Sequence, residues 1–289
     1  MNPGQRALKV LAVGPQVLVQ DLGRPGVADV GVGRSGAADR SAHRLGARLL
    51  AQEESRAGLE ILLGGLRVRA VGQLTVCLTG ALAPMTVDGS RVPHGAPVLL
   101  PDGAELAVGN PTQGLRSYLA VRGGISVDAT LGSRSHDTLS GLGPPPVRAG
   151  QRLPVGAPPS SLPFVDQAVP GPAPDPLVLD VLPGPRRDWL ADPAALAAAA
   201  WTVTDRSDRV GTRLDGPPLV RAEAYQDAEL PSEPMVRGAV QVPGDGRPVV
   251  FGADHPVTGG YPVVGVLTEV GADRLAQTPP GRSVTLRWV

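Results

Sequence analysis

The sequence predicts a mainly β protein, and three observations carry that prediction. Thirty-eight glycines and 32 prolines stand among the 289 residues, enough turn formers to interrupt the chain at short intervals. Apolar residues make up 42% of the chain and fall in short Val- and Leu-rich runs, a strand-like rather than a long-helix pattern. Pairs such as Asp88-Gly89 and Asp102-Gly103 sit between those runs, where a hairpin needs residues that tolerate positive φ.

Taken in order, Val17-Leu18-Val19 reads as a strand. The stretch after it passes glycines 23, 26, 31, 33 and 36 and then turns helical, because Ala38, Ala42, Leu45 and Leu49 share one helix face. Asp39 is the expected N-cap, its carboxylate accepting from first-turn N–H groups. A polar loop, RSGAAD, therefore opens a helix, and free N–H groups at such a point favour anions. The same glycines are equally explained by backbone positions that need positive φ. Residues 59–79 read as two or three short strands, with Glu60 on a solvated face and Cys77 as a buried, inert thiol. Residues 84–109 alternate apolar stretches with turn signals.

Residues 154–176 hold eight prolines and little periodicity, the mark of a linker. The expected organisation is a domain over 1–156, a Pro-rich linker over 157–176 and a second domain over 177–289. Within the second, 177–182 reads as a strand. Asp192-Pro193 opens a short alanine-rich helix to about Ala200, 273–277 is a short helix, and 283–289 is a closing strand.

Composition excludes several function classes. The formal net charge is zero with both signs interspersed, so no basic patch points to nucleic acid. The N-terminus lacks the basic-then-apolar pattern of a signal peptide, no apolar run reaches membrane-span length, and a single cysteine forms no internal disulfide. A cytoplasmic protein with no membrane partner is expected. A G-x-x-x-x-G-K-[ST] phosphate loop and a G-x-S-x-G nucleophile elbow are both absent, and histidines 43, 94, 136 and 255 lack zinc-ligand spacing, so no metal is expected. Residues 31–36 fit G-x-G-x-x-G, without the acidic strand end that a dinucleotide site needs about 20 residues on.

Five ordered segments carry a more specific signal. They are VQDLGRPG with GVGRSGAADR; the run Thr79-Gly80-Ala81; RSYLAVRGGISVDATLGSRSHD over 116–137; SDRVGTRLDGPPL over 207–219; and GAVQVPGDGRPVVFGADHPVTGGYP over 238–262. Together they resemble the KipA/PxpC family, whose members are also described as 5-oxoprolinase components, biotin-dependent carboxyltransferases, allophanate hydrolase subunit 2 or urea amidolyase-related proteins. The chain departs from the pattern at His136 for threonine, Val210 for methionine, Thr212 for an aromatic residue, His255 for arginine and Val263 for lysine. The resemblance implies two tandem cyclophilin-like β-barrels with short covering helices. It also implies an ATP-dependent 5-oxoprolinase that opens 5-oxo-L-proline to L-glutamate together with PxpB/KipI-like and PxpA-like partners. ATP then binds at the complex, on a component the sequence does not fix. A biotin-dependent carboxyltransferase component and a KipA-like regulatory binding protein share the same motifs. Biotin has no internal attachment site, since Lys9 is the only lysine and lacks a Met-Lys-Met setting.

The candidate site residues are the polar groups of the matching loops. Arg134, Asp208 and Tyr261 are the expected catalytic residues, and Arg34, Ser35, Asp39, Ser135, Gln241 and Thr258 the expected substrate-binding ones; Asp137, Ser207 and Arg209 lie in the same motifs. Arginine forks hold carboxylates in a bidentate manner. Tyr261 and the N–H groups of Gly259-Gly260 can stabilise a developing oxyanion. Each of these residues has an equally good reading as a loop-fixing hydrogen bond. The expectation is that Arg34, Ser35, Asp39, Arg134, Asp208, Thr258 and Tyr261 line polar pockets.

Overall fold

The computed structural model describes residues 6–168, 171 and 174–289. The chain divides into two compact units. The first holds the described residues of Met1–Arg24, Ser35–Asp137 and Gly141–Pro172, and the second those of Pro25–Arg34, Thr138–Ser140 and Ala173–Val289.

Two antiparallel sheets build the first unit. One runs in the order β11 (Arg152–Pro154), β1 (Ala7–Ala12), β4 (Leu66–Val71), β9 (Glu105–Val108), β6 (Met85–Val87) and β7 (Ser90–Val92). The other runs β2 (Gln16–Gln20), β3 (Gly58–Leu62), β10 (Gln113–Val121), β5 (Leu74–Leu82) and β8 (Val98–Leu100). β4 alternates as a half-buried strand must: Leu66, Val68 and Ala70 point inward, while Arg67 and Arg69 point out and pair with Glu105. Leu8 and Val10 of the first sheet join Leu59, Ile61, Val76 and Leu119 of the second in one continuous core.

Helix α1 (Arg40–Leu49) packs on β5 and β10. Gly46 permits the approach, because a Cβ there would lie 3.0 Å from the Ala120 Cβ and 3.3 Å from the Thr79 hydroxyl. That hydroxyl donates to Ala42 O at 2.7 Å. Asp39 is the N-cap, its side chain accepting from Ala42 N at 2.9 Å. Leu49, Leu50 and Cys77 form a small cluster between helix and sheet. Cys77 is fully buried, and burial pushes its thiol up to about 12.

The second unit is a closed barrel in the order β12 (Leu177–Pro183), β19 (Val263–Leu267), β16 (Ala239–Gln241), β17 (Val249–Phe251), β14 (Gly211–Asp215), β13 (Ala200–Val203) and β20 (Ser283–Trp288). The parallel pair β12–β20 closes it. Trp201, fully buried, anchors its core with Leu179, Val181, Val240, Val250, Val264 and Leu286, and donates from Nε1 to Leu196 O at 2.9 Å. A short pair, β15 (Glu233–Pro234) with β18 (Thr258–Gly259), stands outside the barrel. The fold is mainly β, as the sequence predicts.

Four local readings change. The alanine-rich helix is only α2 (Ala195–Ala198), because Ala200 already pairs with Thr285 in the barrel and pairing overrides helix propensity. Helix α3 (Glu269–Ala276) begins four residues before 273, since Thr268 caps it by accepting from Gly271 N at 3.1 Å. Glu60 is buried rather than solvated, because the Tyr118 hydroxyl and Ala38 N satisfy its carboxylate. The Pro-rich segment lies along the first unit from 157 to 168. Pro159 O accepts from Arg122, the Ser161 hydroxyl donates to Ala51 O, and Gln167 and Ala168 N donate to the carbonyls of His94 and Gly95. Residues 169, 170, 172 and 173 of that segment lie outside the described residues.

Candidate functional site

Within the first unit, polar groups gather where the loop before α1 meets the second sheet. Glu60 on β3 faces Tyr118 on β10 across the antiparallel register. The Glu60 Oε2 atom accepts from the Tyr118 hydroxyl at 2.9 Å and from Ala38 N at 2.9 Å, and the Tyr118 oxygen accepts from Asp39 N at 2.8 Å. Arg116, also buried, stands 3.6 Å from Glu60 Oε1. Burial, with the charges of Glu60 and Asp39, holds the Tyr118 phenol well above its ordinary range, so it stays protonated as a donor. His43 lies edge-on to Tyr118, its ring centroid 6.3 Å away, with Nε2 3.2 Å from Glu54 O. Burial lowers the His43 imidazole, favouring its neutral form.

A second network centres on Asp21, one residue past the end of β2 and buried. Its Oδ1 accepts from the hydroxyls of Ser133 and Ser135, each at 2.6 Å, and from Gly23 N at 2.8 Å. Oδ2 accepts from Arg134 N at 2.7 Å. In return the Ser135 oxygen accepts from Asp21 N at 2.9 Å. One carboxylate thus fixes the three-residue turn that carries Arg134. The next carbonyl along, His136 O, accepts from Gln20 Nε2 at 2.8 Å and from the Ser35 hydroxyl at 3.2 Å. Ser35 is fully buried with φ 55, a left-handed conformation that a non-glycine residue adopts at a cost. Gly36, φ 98, allows the loop to lie against Leu22-Gly23, since a Cβ there would sit 2.7 Å from Gly23 N.

The second unit carries its own polar core. Arg209 and Asp254, both buried, form a bidentate pair at 2.8 and 2.9 Å. Asp254 Oδ2 also accepts from the amide and hydroxyl of Thr138 at 2.9 and 2.7 Å. Gln241, buried on β16, donates to Tyr261 O at 3.1 Å and so holds the Gly259-Gly260-Tyr261 turn. Arg186 pairs with Glu233 on β15, the strand beside β18, and this lowers the carboxyl of Glu233.

The sequence-selected residues divide sharply. Ser35, Asp39 and Ser135 are buried in the first unit's networks, and Gln241 in the second's. Arg134 is half-buried, and its Nε donates to Val127 O at 2.7 Å. Arg34 is half-buried in the second unit. Asp208, Thr258 and Tyr261 are exposed. Asp208 is exposed because it closes its own turn, Oδ1 accepting from Val210 N at 2.8 Å and Gly211 N at 3.1 Å. Thr258 pairs through its backbone with Pro234, and Tyr261 is 50% exposed at the tip of its turn. Asp21, Glu60, Tyr118 and Asp254, which build these networks, are not among the residues selected from the sequence. The available signal was an acid beside apolar strand residues, as at Glu60, or inside a glycine-rich turn, as at Asp21.

Comparison with known proteins gives this geometry a context. The family model of the carboxyltransferase domain, subdomain A and B, matches residues 30–288. A protein of Escherichia coli K12 that bears the name of a 5-oxoprolinase component is 34% identical over 285 residues, 96% of this chain and 89% of that one. A Haemophilus influenzae protein of the same name is 30% identical over 289 residues, 98% of this chain and 91% of that one. The urea amidolyase of Saccharomyces cerevisiae is 28% identical over 306 residues, which is 96% of this chain but 16% of that protein. Among solved structures, TTHA0988 superposes with a TM-score of 0.88 at 33% identity, over 98% of this chain and 56% of that one. The urea amidolyase of K. lactis superposes with a TM-score of 0.90 at 27% identity, over 97% of this chain and 18% of that one. The chain therefore spans a little over half of the first of these structures and under a fifth of the second.

Proposed function

The chain belongs to the family of carboxyltransferase domains with subdomains A and B, and on that premise we propose that it is one component of an ATP-dependent 5-oxoprolinase. In this reading it acts with a PxpA-like and a PxpB-like partner to open 5-oxo-L-proline to L-glutamate. The observation that carries it is 34% identity to a protein named as a 5-oxoprolinase component, across 89% of that protein, a nearly full-length match. A lactam is a stable amide, so ring opening needs the amide oxygen activated first. ATP is the co-substrate of the complex that drives this step. The chain's own contribution is to hold the substrate and to stabilise charge as it develops on oxygen.

Tyr261 is the group best placed for the second task, with its ring half exposed and its turn held by Gln241. Arg134 presents its guanidinium from a turn that Asp21 fixes. Tyr261→Phe in the reconstituted three-protein complex should lower glutamate release by about 10²–10³, the cost of one lost oxyanion donor, and leave the melting temperature of the chain unchanged. Arg134→Ala is a less clean test, because it also removes the bond to Val127 O. Glutamate release from 5-oxoproline and ATP by the complex, and none by the chain alone, is the expected outcome. Robust turnover by the isolated chain, or none by the complex, overturns the proposal.

A second reading is favoured by the family description itself: a carboxyltransferase step in which carboxybiotin arrives on another protein. Lys9 fits that supply route. It sits in mid-strand, its backbone paired with both Arg69 and Arg152, rather than at a hairpin tip where a biotinyl arm could swing. Carboxyl transfer to urea in place of lactam opening would select this reading.

A further inference from the structure

Arg24 is the most deeply buried charge among the described residues of the first unit, with 1% of its surface exposed. Its guanidinium makes no ion pair with any described residue. Only neutral backbone carbonyls meet it: Nη2 donates to Ser135 O at 2.5 Å, and Nε reaches Thr130 O at 3.5 Å. Asp21, three residues away, is the carboxylate of the same loop network. It is fully engaged by Gly23 N, Ser133, Ser135 and Arg134 N and serves the turn instead. Nη1 is enclosed and has no hydrogen-bond partner. Nη2 therefore has a carbonyl acceptor, and Nη1 is the enclosed donor of the guanidinium that has none.

A buried cation without a counter-ion is costly, by several kcal/mol after relaxation, and a chain retains one where something compensates it. Each Nη group carries two N–H bonds, and the end-on pair of a guanidinium is planar and parallel, the arrangement that matches the two oxygens of a carboxylate. Two more enclosed polar atoms of the same network, Gln20 Oε1 and His136 Nδ1, also lack partners. The cover over Arg24 includes Gly143, φ 90, where a Cβ would stand 3.3 Å from Nη2 and 2.1 Å from Ser135 O. Gly141 and Gly143 both have positive φ in that segment.

We propose that Arg24 is a carboxylate-binding residue of the first unit, its end-on fork taking the carboxylate of a small organic acid. The inference deepens the preceding reading, under which 5-oxoproline supplies that carboxylate, but its test does not depend on turnover.

The experiment is calorimetric titration of the full chain with 5-oxoproline, acetate, 2-pyrrolidone (the lactam without a carboxylate) and inorganic phosphate. Binding of 5-oxoproline and acetate, with no binding of 2-pyrrolidone, is expected. Arg24→Gln should weaken 5-oxoproline by at least about 30-fold, a lost charge-assisted pair, and Arg24→Lys, which keeps the charge but loses the fork, by about tenfold. If Arg24→Gln does not fold, the lysine variant and the wild-type ligand series still decide. No binding of any carboxylate by the wild type, equal binding by the lysine variant, or tighter binding of phosphate than of either carboxylate overturns the proposal. Carboxylate binding together with a complex that does not open 5-oxoproline would leave Arg24's role standing and sink the 5-oxoprolinase reading alone.

Discussion

Replacing Asp21 by asparagine tests whether one carboxylate organises the turn that carries Arg134. The amide oxygen of asparagine can still serve the three donors that meet Oδ1, namely Gly23 N, Ser133 Oγ and Ser135 Oγ. Its NH₂ group then faces Arg134 N, which now meets a donor instead of an acceptor. An unsatisfied N–H costs about 1–3 kcal/mol, and each of the three remaining bonds loses its charge assistance. These effects are not additive, and together they amount to about 2–5 kcal/mol. With a urea m-value of about 2 kcal/mol/M, the midpoint for the first unit should fall by roughly 1–2.5 M. Two intrinsic probes separate the units. Cys77 is buried in the first unit, while all three tryptophans, 189, 201 and 288, lie in the second. Pulse labelling of Cys77 should therefore report the shift, and tryptophan fluorescence should keep its wild-type midpoint. An unchanged Cys77 midpoint would refute the account of Asp21 as the hub.

Three further outcomes follow from the structure. Asp254→Asn leaves Arg209 buried beside a neutral partner, so the tryptophan transition should lose about 3–5 kcal/mol while Cys77 labelling holds its midpoint; the reverse pattern would contradict the pairing. His43 is buried with its imidazole lowered, so below its unfolded value of about 6.5 the unfolded chain binds a proton that the folded chain refuses. Stability should thus decline as pH falls through 6.5 toward 5, by up to about 1.4 kcal/mol per unit from this group, and His43→Gln should flatten that slope in melting curves between pH 5 and 7.5. With its thiol at about 12, native Cys77 should resist iodoacetamide at pH 8 and react fully in urea; rapid native labelling would show that the cluster with Leu49 and Leu50 opens.

What the sequence made legible was local. Helix α1 and its Asp39 cap are specified within four residues, and the strands announce themselves by short apolar runs and glycine turns. The polar networks were illegible because their partners lie far apart in the chain. Asp21 meets Ser133 and Ser135 across 112 and 114 positions, and Glu60 meets Tyr118 across 58. Read alone, Glu60 between apolar neighbours has the period-2 pattern of a solvated face. Only the register that sets Tyr118 opposite, with Ala38 N above, makes burial tolerable. The alanine run after Pro193 failed for the complementary reason: its propensity is real, but the barrel takes Ala200 and Trp201 as strand.

The division between buried and exposed candidates bears on how the chain can work. Ser35, Asp39, Ser135 and Gln241 are buried within hydrogen-bonded loops, where they preorganise the turns. Under the proposed function, the exposed or half-exposed groups these turns present are Tyr261 in the second unit and the Arg134 guanidinium in the first. A donor that is half in water stabilises an oxyanion poorly, because solvent competes and the local dielectric is high. Under the proposed function, the missing element is therefore a surface that excludes water over Tyr261, and a partner protein is what would supply it. That predicts a protection effect independent of turnover: addition of the partners should quench nitration of Tyr261 by tetranitromethane, with 5-oxoproline and ATP absent. If Tyr261 reacts as fast in the complex as in the lone chain, the water-excluding surface does not form there, and its role as oxyanion donor falls with it.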